Sequence, residues 1–213
     1  MDSRDRNEDV PLSAEALREW EGHVEDILRG VAHALNNRAA SVSAMLELSM
    51  DAERGDSATR PFLAVELQRL QELVDVVRAV GGPRAAPEAF DARDAAATAR
   101  AVMVLHAALR DRTMTVDAPE ALAVRTPKWM FVRALVALAA RAAGGGRGPA
   151  TIQLRDEDGW VVARTSGTDA DGRRSRYADE LARAMGGEPL SAAPGFRIQI
   201  GRASCRERVY VLV

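Results

Sequence analysis

Apolar residues return at helical spacing over two long stretches in the first part of the chain. From Leu12 to Met50 the stripe runs through Val24, Leu28, Val31, Leu35, Val42 and Met45, widened by Ile27 and Leu46. Ser13 stands where an N-cap belongs. A polar break, Asp51 to Arg60 with Gly55 inside it, separates this helix from the next. Ser57 or Thr59 is placed to cap the second helix and Pro61 to sit in its first turn. Leu63, Leu67, Leu70, Val74 and Val77 form its stripe, and Gly81-Gly82-Pro83 ends it. Two helices joined by a short polar loop predict an antiparallel hairpin. A lone hairpin leaves much of both stripes in water, and each such side chain gains about 1.5–3 kcal/mol when fully buried. A second copy covers them by forming a four-helix bundle, so a homodimer through residues 12–80 is expected.

Beyond the linker Pro83–Pro87 the pattern alternates between helix and strand. Asp91–Asp111 reads as a helix with Ala97, Val102, Leu105 and Leu109 inward, and Thr113–Val116 and Ala123–Arg125 as short strands. Trp129–Ala143 is a strongly apolar helix stopped by Gly144-Gly145-Gly146. Trp129, Met130 and Phe131 read as core or interface residues. Thr151–Arg155 and Trp160–Arg164 form a hairpin turning at Asp156–Gly159. Tyr177–Met185 is a helix ended by Gly186-Gly187, and Phe196–Ile200 a last strand. This order predicts an α+β sandwich behind the hairpin. The expected division is a disordered start at 1–11, the hairpin at 12–82, the sandwich at 88–200 and a tail at 201–213. The tail's Ile200–Val209, IGRASCRERV, reads like a translated sequencing adapter and is set aside from functional reasoning.

Composition removes several classes of function. A net charge of −2 with both signs mixed gives no footprint for nucleic acid and no polybasic patch for a membrane. No apolar run is long enough to span a bilayer and no signal-peptide pattern opens the chain, so a cytoplasmic protein is expected. One cysteine, Cys205, allows no disulfide within the chain, and the three histidines lack metal-ligand spacing. Lys128 is the only lysine among many arginines, which points to a GC-rich coding sequence. Asp169-Ala170-Asp171-Gly172 lacks the distal glutamate of a calcium loop and reads as a surface turn. No metal or cofactor is expected.

The chemistry concentrates in Gly30-Val31-Ala32-His33-Ala34-Leu35-Asn36-Asn37-Arg38. On a helix His33 lies about 200° from both Val31 and Leu35, hence away from the apolar stripe. Asn37 follows one turn later on the same face. Imidazole keeps a neutral ring nitrogen available near pH 7, and such a nitrogen can attack phosphorus and carry a labile phosphoryl group. His23 and His106 read as ordinary structural histidines.

GVAHALNNRAASV resembles the phosphoacceptor box of bacterial sensor histidine kinases. The resemblance makes His33 the phosphoacceptor and Asn37 the residue that orients water during dephosphorylation of a response regulator. It leaves Asn36 and Arg38 to meet the partner, with Arg38 steering its acidic pocket. Ala34 departs from the family's acid directly after the histidine, which assists attack on ATP. The likeness continues into the second half, which implies a GHKL-type ATPase sandwich. Phe131–Ala143 can be laid along the family's asparagine-bearing helix. Arg141 then stands at the magnesium-binding asparagine and Ala137 at the asparagine before it. A guanidinium has donors only and cannot ligate magnesium. Thr165 replaces the adenine-reading acid, although Gly167 after it remains, and Arg173-Arg174-Ser175-Arg176 replaces the glycine-rich phosphate lid.

The resemblance is therefore to a kinase core with a degenerate nucleotide site, like the two-domain histidine phosphotransferases. It implies phosphoryl exchange between His33 and receiver aspartates. The alternatives are a divergent sensor kinase, a response-regulator phosphatase centred on Asn37, and a non-catalytic dimeric partner that sequesters a kinase or receiver.

Overall fold

The computed structural model describes residues 12–51, 56–81, 86–106, 109, 112–118, 121–143, 149–166, 174–191 and 193–200. The features read at Gly55, Gly82–Pro83, Gly144–Gly146, Gly167, Asp169–Gly172, Arg173 and the tail with Cys205 lie outside them, as do residues 1–11.

α1 (Ala14–Asp51) and α2 (Asp56–Gly81) are the expected hairpin. Ser13 caps α1, its Oγ accepting from the Ala16 N–H at 3.2 Å. α2 begins earlier than the sequence suggested, so Ser57 and Thr59 lie inside it rather than at its cap, and Pro61 sits beyond its first turn. The apolar stripe also divides. Ile27, Val31, Leu73, Val76 and Val80 are buried, whereas Leu28, Leu35, Leu46, Leu67, Val74 and Val77 are each 42–68% exposed. Helical periodicity finds the apolar face but cannot say which part the chain itself will cover.

β1 (Glu88–Asp91) pairs antiparallel with β3 (Ala123–Thr126) in a small sheet. α3 (Ala92–Leu105) follows β1, with Asp91 as its N-cap. It ends before the expected Asp111 and leaves His106 as its C-cap. Ala97 faces solvent, while Ala95, Ala96 and Ala99 point inward. Runs of alanine offer no polar contrast from which to read a helix's phase.

β2 (Met114–Asp117), β4 (Ala150–Glu157), β5 (Trp160–Ser166), β7 (Gly195–Gln199) and β6 (Glu188–Pro189) form a sheet in the order β2-β4-β5-β7-β6. β2 and β4 are parallel, which their connection through β3 and α4 (Lys128–Ala143) permits, and the other pairs are antiparallel. Asp158 and Gly159 turn β4 into β5 with φ of 55° and 81°, the left-handed pair that a tight hairpin needs. Along β4 buried Ala150, Ile152 and Leu154 alternate with more open Thr151, Gln153 and Arg155, so helices cover one face.

That covering layer is α3, α4 and α5 (Arg176–Ala184). α4 is buried nearly all round because α3 and α5 flank it, the sheet lies on one side and the hairpin on the other. Ala16, Trp20, Ile27 and Val31 of α1 join the same apolar core as Phe131, Leu135 and Leu181. Hairpin and sandwich thus share one interior. No described helix is long and apolar enough to cross a membrane.

Candidate functional site

His33 projects from the middle of α1 and is exposed. Asn37, one turn on, brings its amide nitrogen within 3.2 Å of His33 Nε2. An amide nitrogen can only donate, so in this contact Nε2 is the acceptor. The nitrogen that the amide holds is the one with a lone pair to give.

A depression of about 530 Å³ lies beside this pair, lined by Arg29, Gly30, His33, Ala34, Asn37, Arg38, Val104 and Leu105. Gly30 explains how the end of α3 comes to form its wall. A Cβ at Gly30 would lie 1.7 Å from the Leu105 carbonyl oxygen, so the two backbones meet only because a side chain is missing. Arg29 is held by Glu25 at 3.0 Å and Asp26 at 3.1 Å. Arg38 reaches across to Glu66 of α2 at 3.3 Å. Glu66 is 1% exposed and also pairs with Arg69 at 2.7 Å. Arg38 therefore ties the hairpin together at the edge of the depression. Asn36 is exposed on α1 and is not part of the lining.

Below this level α1 is clasped to α5. Ser13 N–H and Oγ both donate to Glu180, each at 2.7 Å. In return Ser175, the N-cap of α5, donates to Glu19 at 2.6 Å, and the Tyr177 N–H donates to Glu19 at 3.2 Å. Each carboxylate thus sits near the positive end of the other helix. Trp20 stacks on Tyr177 with centroids 4.8 Å apart, and the Arg133 guanidinium lies 5.5 Å from the Trp20 ring. Sequence reasoning missed this clasp because its partners are more than 150 residues apart.

It also missed a histidine pair. His23 Nδ1 lies 3.2 Å from His106 Nε2, where α1 meets the end of α3. Burial pushes His106 down to about 4, with the neighbouring His23 adding to that and Asp26 opposing it. Burial also lowers His23, against the pull of Glu19 and Asp26, with the charge of Arg141 helping. Each ring is thus neutral near pH 7, with one N–H in the bond between them.

The positions that resemble a nucleotide site are spread over α4 and β5. Ala137 is buried, and Arg141 is exposed on the last turn of α4. Thr165 is nearly buried, and its Oγ1 has no hydrogen-bond partner among the described residues. Arg174 pairs with Asp179 at 3.1 Å. On the register read from the sequence, Arg141 would offer magnesium only a guanidinium, which has donors and no acceptor. Among the described residues no cluster of histidine, cysteine, aspartate or glutamate could hold a metal.

A hairpin bearing an exposed histidine, followed by a helix-covered sheet, is the architecture that the phosphoacceptor box implied. No protein-family model and no curated protein matches the chain. Among solved structures it is similar to the Acinetobacter baumannii histidine kinase AdeS, at 15% identity over 79% of this chain and 98% of that one, with a TM-score of 0.43. It is also similar to a bacterial phosphotransferase, at 15% identity over 88% and 97%, with a TM-score of 0.40. A histidine kinase from Burkholderia phymatum aligns at 14% identity over 89% and 98%, with a TM-score of 0.41.

Proposed function

We propose that this protein is a histidine phosphotransfer protein of a two-component phosphorelay. His33 takes a phosphoryl group from one receiver aspartate and hands it to another, without ATP. The observation that carries this reading is the exposed His33 ring with Asn37 on its Nε2 at 3.2 Å.

The step balances as a simple displacement. The Nε2 lone pair forms a bond to phosphorus while the bond between phosphorus and the aspartyl oxygen breaks, and the carboxylate leaves. The Nδ1 proton stays on the ring. Asn37 must first turn its N–H away from Nε2, which its exposed position allows, and the freed amide can then donate to a phosphoryl oxygen. The reverse displacement loads the second receiver. Ala34 offers no carboxylate for the family's ATP-directed attack, and Arg141 offers no ligand for magnesium.

A second copy is expected on the stripe of Leu28, Leu35, Leu67, Val74 and Val77, each 42–68% exposed. His33 projects about 200° away from Leu35 around α1, so a dimer through that stripe leaves the imidazole open. Two copies of the site then face separate receivers.

The test loads receiver domains from the source genome with labelled acetyl phosphate and incubates each with the protein, with no nucleotide present. Acid-labile label that maps to His33 and is absent from His33→Ala is the expected result. Release of free phosphate with no label on the protein would make it a phosphatase. No change in any receiver would leave it a sequestering partner.

A further inference from the structure

We propose that the C-terminal end of α3, and Val104 above all, is part of the receiver-docking surface and helps select which receiver reaches His33. The inference rests on the phosphotransfer reading and deepens it by assigning a partner-recognition residue outside the hairpin.

Val104 is 61% exposed near the end of α3, directly after Val102 and Met103, which are completely buried. It is not stray surface, because together with Leu105 it lines the same depression as His33 and Asn37. The Gly30–Leu105 backbone contact fixes it there, since α3 approaches α1 closely enough to wall the site only across that glycine. Among the described residues the other charged side chains of the lining are Arg29 and Arg38, and none is a carboxylate. Both guanidiniums pair with carboxylates outside the lining, Arg29 with Glu25 and Asp26 and Arg38 with Glu66.

A hollow edged by two guanidiniums, each tied to carboxylates, with one apolar wall suits a partner that brings a phosphorylated pocket with an apolar rim. A phosphorylated receiver presents such a pocket. A small phosphodonor needs only the imidazole, whereas a docked domain must also rest on the wall. Apolar contact at the centre of an interface is where a single residue can dominate binding. The stripe proposed for dimerisation lies on the far side of α1, so a second copy of this chain would not cover Val104.

The test compares Val104→Asp with the parent protein using two donors. Phosphoramidate labels an accessible histidine without any docking. The phosphorylated receiver that loads the parent fastest requires it. The expected result is unchanged labelling by phosphoramidate and a loss of roughly tenfold or more in transfer from the receiver, recovered by raising receiver concentration. Val104→Leu should restore transfer. Parent-like transfer by Val104→Asp overturns the inference and leaves the phosphotransfer reading intact. An equal loss with both donors also overturns it, because the substitution then acts on the imidazole and not on docking. A change in the oligomeric mass of Val104→Asp assigns the face to another copy of the chain and overturns it likewise. If no receiver loads the parent although phosphoramidate labels His33, the phosphotransfer reading fails and the docking surface fails with it.

Discussion

Gly30 and Leu105 touch backbone to backbone, with no room for a Cβ between them. The glycine three residues before His33 is thus a packing device that lets the end of α3 reach α1. Gly30→Ala must push a helix aside, since the obstacle is a carbonyl and not a flexible side chain. Overpacking of this kind costs about 1–3 kcal/mol. The urea midpoint should fall accordingly, and receiver-driven labelling should fall with it as the wall beside His33 is displaced. An unchanged midpoint would mean that α3 stands further off than described.

The His23–His106 pair predicts a particular pH dependence. His106 is held at about 4 in the folded protein and an ordinary histidine titrates near 6.5, so the unfolded chain binds more protons between those values. Stability is then full above pH 6.5 and falls as the pH drops toward 4, by something on the order of 3 kcal/mol. His23 adds in the same direction. The charges of Glu19, Asp26 and Arg141 also act on the pair, so the clean readout is a difference between proteins. His106→Gln should flatten the slope of the melting temperature between pH 7.5 and 4.5. Parallel slopes would contradict the pairing.

The clasp between α1 and α5 should be worth measuring through Glu19. Glu19→Ala removes the acceptor of Ser175 Oγ and of the Tyr177 N–H together. Hydrogen bonds to a charged group contribute about 1.5–3 kcal/mol each, less where solvent reaches them. The melting temperature should drop, and amide exchange should rise first in α5 and the start of α1. Protection lost evenly over the molecule would show that the clasp is not a local latch.

Much of the fold was legible because burial and periodicity agree over long spans. The helices α1, α2 and α4 and the strands β4 and β5 stand near where the pattern set them. What escaped was short or alanine-rich. β1 shows no alternation of burial along its four residues, and β6 has only two. The phase of α3 was misjudged at Ala97 because its neighbours are also alanine. The adjacency of His33 and Asn37 followed from a single helical turn. The pairing of His23 with His106 did not, because the two are 83 residues apart and no local pattern joins them.

The uncovered part of the hairpin stripe predicts the state of assembly. Leu35 is 42% exposed and Val74 44%. Placing glutamate at both positions should turn a dimer into a monomer by light scattering while leaving the far-ultraviolet circular dichroism intact. A parent protein that is already monomeric at micromolar concentration would remove the four-helix bundle from the account.

The most direct trial of the central claim is the amount of acid-labile phosphate that His33 acquires from two sources offered in parallel, a phosphorylated receiver domain and magnesium ATP. Label from the receiver and none from ATP is the predicted outcome. Label from ATP alone would contradict it and restore the protein to the nucleotide-driven kinases.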